Sequence, residues 1–339
     1  MNQKHHISSS PHIRDVRSVS TIMGDVLIAL IPAIVASAYF FGARALFLLF
    51  FSVLCGGITE HFICTKLLRR TSTVSDKSAV ITSVLLALSL PVSTPLWIIA
   101  LGNIFAIAVV KWVFGGLGGN IMNPALAGRA FLVASYPALT TGSAYLSAGM
   151  GGRIPAPPST IDAFTGATPL EASSSLSASH AFDALPSLFW GSVNGSLGEV
   201  SALALCIGGI YLIFRKIITV RIPFVFVGTV FFLTYGITPL QSNYEFFSPE
   251  VLYFSLYHVL AGSLLIGAFF MATDMVTSPI TAKGQTVFAF GCGLLTFLIR
   301  QFGGYPEGVT YAILLMNGLT PLIDRYMKPR VYGYGGNHE

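Results

Sequence analysis

The residues best suited to chemistry here are hydroxyls and amides set among glycines, together with a few acids in apolar surroundings. One group is Asp162-Ala163-Phe164-Thr165-Gly166-Ala167-Thr168, followed by Pro169. Small residues flanking the Thr168 hydroxyl leave room for a bulky group to approach it, and backbone amides near a glycine can cradle a phosphate. The same residues also suit a Thr-rich turn in which Asp162 or Thr165 caps a short helix. A second group is Phe114-Gly115-Gly116-Leu117-Gly118-Gly119-Asn120-Ile121-Met122-Asn123-Pro124-Ala125. A Gly-rich run ending in Asn-x-x-Asn-Pro can break a helix inside a membrane and present amide groups to a cofactor. Alternatively, the glycines let helices pack closely while the asparagines bond across them. A related stretch, Gly303-Gly304-Tyr305-Pro306-Glu307-Gly308, leads to Met316-Asn317.

Two acids stand out because an ionisable group in lipid is costly and is usually retained for function. Glu60 follows Gly56-Gly57, and Asp274 closes Met271-Ala272-Thr273-Asp274. Either could bind a cation transiently or balance charge on a reduced cofactor. The structural alternatives are that Glu60 pairs with Arg129 or His61, and that Asp274 caps its loop toward Lys283. His61 and His258 read as core histidines, since no second ligand stands at helical spacing, and no metal site is expected. Cys55, Cys64, Cys206 and Cys292 show no Cys-x-x-Cys spacing and read as packing residues. With no nucleotide-binding glycine fingerprint, P-loop or nucleophile elbow, no catalytic residue is assigned.

These groups must be positioned by membrane helices. The 339 residues are 53% hydrophobic and only 10% charged, with a mean hydropathy of +0.73. That excludes both an ordinary water-soluble enzyme and a disordered chain. Ten apolar segments lie near 22–41, 45–65, 79–91, 95–114, 124–139, 199–214, 222–240, 252–272, 285–302 and 308–323. With a cytoplasmic N-terminus, only Arg44, Arg153 and Arg300 fall outside, so 16 of the 19 basic residues lie inside and both termini are expected in the cytoplasm. The net charge of +5 then reports orientation and not nucleic-acid binding. The first twenty residues lack a cleavable signal pattern, and the first span is expected to direct insertion.

The expected architecture is an all-α polytopic membrane protein of about ten transmembrane helices in two inverted five-helix repeats. It divides into a cytoplasmic segment (1–21), a first repeat (22–139), an outer loop or cap between spans five and six (140–198), a second repeat (199–323) and a cytoplasmic tail (324–339). Five spans per half reverse the second half's starting side. The Phe-Gly-Gly and Met-Asn pairs of the two halves, and the similar stretches from Asp76 to Thr82 and from Asp274 to Thr281, support the repeat. The third span stops early, at Pro91, and a short or broken segment in such a fold is an expected ligand position.

Across residues 15 to 330 the sequence resembles the RnfD membrane component of the Rnf complex, an ion-translocating ferredoxin:NAD oxidoreductase, and its relative NqrB of the sodium-pumping NADH:quinone reductase. The Asp-x-x-Thr-Gly-Ala-Thr stretch is similar to the recognition motif of an exported flavin transferase that joins FMN through its phosphate to the last threonine. The resemblance thus implies a covalent FMN phosphoester at Thr168, with Asp162, Thr165, Gly166 and Ala167 as recognition residues. It implies riboflavin, held without a covalent bond, near Asn120 and Asn123. Gly-Gly-x-x-Glu resembles a segment tied to quinone and ion handling, which makes Glu60 an ion or redox candidate, as is Asp274 by its match to a family acid. The partners implied are the A, B, C, E and G components of the Rnf complex, the flavin transferase and membrane lipid, in a bacterial or archaeal cytoplasmic membrane. NADH and ferredoxin would react on other components, leaving this one to relay electrons with coupled Na⁺ or H⁺ movement.

Two other readings stay open. The quinone-reductase relatives usually have a longer N-terminal extension, whereas about 21 residues precede the first span here. A secondary transporter without redox chemistry could also use inverted repeats with broken helices.

Overall fold

The computed structural model describes residues 18–141, 170, 181–241, 245, 247–303 and 307–328. Every regular element among them is helical, as lipid demands of a backbone that must satisfy its own hydrogen bonds. The chain forms α1 (Val19–Phe41), α2 (Ala43–Phe62), α3 (Ser78–Leu88), α4 (Leu96–Ile104) and α5 (Pro124–Ser135). It continues with α6 (Ala181–Trp190), α7 (Ala202–Phe214), α8 (Arg221–Gln241), α9 (Pro249–Leu260), α10 (Leu264–Ile266), α11 (Ala282–Phe302) and α12 (Val309–Tyr326). Three helices run on into wider π-helical turns: α2 into Ile63–Leu67, α4 into Phe105–Trp112 and α10 into Gly267–Met271.

All ten apolar segments contain helix, but they are not ten equal crossings. Val19–Phe41, Ala43–Leu67, Arg221–Pro239 and Ala282–Phe302 are long and apolar enough to span a bilayer, and α9 with Leu264–Met271 forms a further pair bent by 61°. By contrast α3, α5 and α7 contain 11, 12 and 13 residues. At about 1.5 Å per residue they fall well short of a core about 30 Å thick. The expected span 124–139 ends at Ser135 because Pro137 pushes Tyr136 out of the helical region, to φ −136° and ψ 58°. The expected span 199–214 starts at Ala202, where the Ser201 hydroxyl accepts from Ala204 N at 3.3 Å.

Short helices leave backbone groups unpaired within the membrane, and the fold answers this with other parts of the chain. At the end of α3, Leu88 O accepts from Gly198 N at 2.6 Å and Leu90 O from Leu197 N at 3.0 Å. The Ser37 hydroxyl of α1 donates in turn to Leu197 O. At the break between α9 and α10, Gly262 takes φ 72°. There the Arg300 guanidinium donates to His258 O at 2.6 Å and Ala261 O at 3.2 Å.

The helices pair by the same scheme in both sets of five. α2 packs on α3 and α4, as α8 packs on α9 and α11, and each fourth element packs on the fifth. The sets meet where α1 lies on α7 and α5 on α12. Buried polar contacts stitch the first set together: Ser52 Oγ donates to Ser83 O, and Asn103 Nδ2 to Ser52 Oγ, both at 2.8 Å.

Candidate functional site

At the end of the bundle where α1 begins, the N-terminal turns of α1, α3 and α5 surround a cleft closed on the far side by Gly267–Met271 and the loop after it. Its cavity volume is about 90 Å³, and it is partly open at the surface. Most of the wall is aliphatic or aromatic, including Met23, Ile81, Leu117, Phe269 and Phe270. Its polar groups are Ser78, Thr82, Lys111, Asn120, Asn123, Thr273 and Asp274. Three candidates drawn from distant parts of the sequence, Asn120, Asn123 and Asp274, therefore share one cavity. The short α3 lines the cleft with Ser78, Ile81, Thr82 and Leu85 near its N-terminal end, while other chain caps its early stop.

The asparagines are buried, and both form part of the cleft wall. Asn123 caps α5, with Oδ1 accepting from Ala125 N at 3.0 Å and Leu126 N at 3.4 Å, while Nδ2 donates to Met271 O at 3.2 Å. Asn120 Nδ2 donates to Met122 O at 3.2 Å. Both side chains line the cleft, although Asn123 is only 4% exposed and Asn120 only 6%. The preceding glycines serve the backbone: Gly115, Gly116 and Gly118 adopt φ of 109°, 92° and 95°, which a side chain would strain.

Asp274 is held by its own loop. Its Oδ1 accepts from Val276 N at 3.4 Å and its Oδ2 from Thr277 Oγ1 at 3.2 Å. Burial pushes its carboxyl group above the ordinary carboxylate range, against the lowering effect of these two bonds. The cap forms toward Val276 and Thr277, where the sequence had suggested Lys283.

Glu60 finds a partner that the sequence did not suggest. It pairs with neither Arg129 nor His61: Lys111 Nζ lies 2.8 Å from its Oε1 and Trp112 Nε1 donates to its Oε2 at 2.8 Å. The Thr73 hydroxyl also donates to Oε1. Glu60 is 0% exposed and Lys111 is 2% exposed. Successive residues reach opposite oxygens of one carboxylate because the π turn narrows the angle between neighbouring side chains. Gly56, one turn before Glu60, lets α2 approach α3, since a Cβ there would overlap the Ser83 hydroxyl. Gly57 meets no neighbour.

A second ionic cluster lies toward the other end. Arg129 of α5 pairs with Glu199 at 3.3 Å and with Glu307. Both acids border a smaller cavity that also touches Leu170 and Gly262. Leu170 is buried against Ala181, Leu188, Tyr257 and Ala261. Asp162, Thr165, Gly166, Ala167 and Thr168 lie outside the described residues. His258 packs edge-on against Phe254, with ring centroids 4.7 Å apart. Among the described residues no three His, Cys, Asp or Glu side chains converge as metal ligands, and the four cysteines are free.

With this geometry in place, comparison with known proteins decides the family. Over residues 6–333 the sequence matches the family described as NQR2, RnfD, RnfE. The chain belongs to that family. The D component of the Na(+)-translocating ferredoxin:NAD(+) oxidoreductase complex of Acetobacterium woodii is 47% identical over 332 residues, covering 96% of this chain and 95% of that one. Its counterpart in the proton-translocating ferredoxin:NAD(+) oxidoreductase complex of Clostridium ljungdahlii is 43% identical over 334 residues, 96% of each chain. The corresponding component of the ion-translocating oxidoreductase complex of Escherichia coli O139:H28 is 35% identical over 353 residues, 97% of this chain and 98% of that one.

Within this NQR2, RnfD, RnfE chain, sequence reasoning missed Lys111, Trp112, Thr73 and Ser78 around Glu60, and Glu199 and Glu307 around Arg129. Lys111 had entered only as a positive charge marking the cytoplasmic side, and Arg129 as such a charge and as a possible partner of Glu60; both are buried in ion pairs, Lys111 with Glu60 and Arg129 with other acids. A lysine inside an apolar stretch, 51 positions from a glutamate also inside one, is the signal that could have raised the first pair as a candidate.

Proposed function

We propose that this chain is the RnfD component of an Rnf-type ion-translocating ferredoxin:NAD⁺ oxidoreductase, carrying FMN on Thr168 and holding riboflavin in the cleft beside Asn120 and Asn123. The observation that carries the reading is the convergence of Asn120, Asn123, Lys111 and Asp274 on one largely apolar cleft in a chain similar along its length to such proteins. The other components of the complex are its partners, and an exported flavin transferase is its maturation enzyme.

The lining fits a flavin without a phosphate. A flat apolar ring system suits Met23, Leu117 and Phe270, and the carboxamides of Asn120 and Asn123 suit a ring edge that both donates and accepts hydrogen bonds. Among the described lining residues Lys111 is the one cation and no arginine fork is present, which suits a flavin without a phosphate better than one that carries it. The flavin would supply the electron-carrying chemistry, while these residues orient it, keep water out and set the local charge.

The excess of Lys and Arg in the loops at the α1 end supports a cytoplasmic position for both termini and for the cleft, with the Thr168 segment outside, where an exported enzyme reaches it. The pairing scheme shared by the two sets of helices supports inverted repeats. The relatives above include both a Na⁺ and a proton translocator, so the coupling ion does not follow from similarity.

Ultraviolet fluorescence of the denatured chain in a gel tests the covalent site. Protein matured with the transferase should fluoresce, and Thr168→Ala should not. A fluorescent T168A chain would refute the attachment site, and a dark wild-type chain would favour a transporter without redox chemistry.

A further inference from the structure

The ammonium group of a lysine has three protons to donate and accepts nothing. Among the described residues Lys111 uses two of them, to Glu60 Oε1 and to Ser78 Oγ, each at 2.8 Å. Lys111 and Ser78 both line the cleft, whereas Glu60 does not. The cation thus stands in the wall with its countercharge behind it and one proton left for the occupant. Its position is fixed from several sides. Glu60 is anchored by Trp112 and Thr73, and the Lys111 ammonium lies 5.8 Å from the centre of the Trp112 ring.

Resting on the flavin reading above, we propose that Lys111 is the hydrogen-bond donor and fixed positive charge that stabilises the reduced flavin in this cleft. Reduction by a low-potential electron donor adds two electrons and one proton from water to the oxidised ring. The proton goes to N5, leaving one negative charge spread over N1 and O2. Lys111 releases no proton in this step; its charge is simply better matched to the reduced ring than to the neutral oxidised one. Glu60 offsets part of this charge, but it stands behind Lys111, so the pair turns its positive end to a largely apolar wall that screens little. An ion pair that only held α2 to α4 would serve stability equally well with its charges on either side, and would leave the flavin's redox balance untouched.

The test is an anaerobic dithionite titration of the purified complex, in wild type, Lys111→Met and the double variant Glu60→Gln/Lys111→Met. Flavin released on denaturation distinguishes the non-covalent cofactor from the covalent one. The double variant guards against misfolding, because it removes both charges at similar side-chain volume, and the new amide can accept from Trp112 with its oxygen while its NH2 donates to the Thr73 hydroxyl. Expected is at least a tenfold shift toward the oxidised form of the non-covalent flavin at fixed ambient potential, about 30 mV for a two-electron couple, with the covalent flavin unchanged. Loss of the non-covalent flavin from an otherwise intact double variant also supports the contact. Retention at the wild-type ratio overturns this inference alone. Absence of any non-covalent flavin in wild type overturns the reading of the cleft's occupant, and the inference with it.

Discussion

Lys111 Nζ and Glu60 Oε1 meet 2.8 Å apart in the interior, joining the π-helical end of α4 to the last turn of α2. Breaking a buried pair from one side leaves an uncompensated charge, which costs about 3–5 kcal/mol. Glu60→Ala should therefore lower the thermal midpoint of the solubilised protein sharply. Glu60→Gln/Lys111→Met should lose much less, which a thermal-shift comparison in the same detergent would show.

The two glycines before Glu60 should respond differently. Gly56→Ala places a methyl group against the Ser83 hydroxyl and the Ile107 side chain, so α2 must move away from α3. Overpacking of this kind typically costs about 1–3 kcal/mol. Gly57→Ala meets open space and should leave the melting temperature unchanged or slightly raised. Equal sensitivity at the two positions would contradict this packing.

Arg300 stands at the bend between α9 and α10, where its guanidinium serves two backbone carbonyls. Arg300→Met would leave both without that donor in a water-poor setting, and a loss of about 2–4 kcal/mol is expected. Lys can supply donors but not the planar fork, so Arg300→Lys should fall between methionine and wild type in a detergent unfolding series.

Asp274 gives a pH dependence. Its carboxyl group is shifted upward by burial, so it takes up a proton at a higher pH than an exposed aspartate does. An ionised Asp274 disfavours a reduced, anionic occupant of the cleft. As pH falls through the raised carboxyl range the repulsion disappears, and the non-covalent flavin proposed for the cleft should become easier to reduce by more than its own proton uptake explains. Asp274→Asn should remove that extra slope and hold the flavin at the more easily reduced limit. Redox titrations across pH check this, and an unchanged slope in the variant would count against it.

Topology can be read by cysteine labelling. Ser75→Cys, in the exposed turn before α3, should resist a membrane-impermeant maleimide in intact cells. Ser173→Cys, in the segment proposed to lie outside, should react. The opposite pattern would invert the orientation.

The sequence made the helical, membrane-embedded class plain, because ten apolar stretches of this hydropathy have few other stable forms in lipid. It also singled out Asn120, Asn123, Glu60 and Asp274. What it hid was tertiary. Nothing local to residue 111 indicates that a π turn aims both Lys111 and Trp112 at Glu60. Nothing near Arg129 indicates Glu199 and Glu307, which approach it only when α5 meets the chain before α7 and α12. The shortness of α5 and α7 was also concealed, since the flanking residues stay apolar after the backbone leaves the helix. Hydropathy measures how well side chains suit lipid and is silent on where regular hydrogen bonding stops.

The end of α3 is completed by amides synthesised roughly a hundred residues later, at Leu197 and Gly198. A ribosome that has delivered only the first five helices has therefore made a half-molecule with bare carbonyls inside the bilayer. Those groups must borrow water or translocon surface until the later stretch arrives. At this point the first half completes its backbone pairing only once the later stretch has been made.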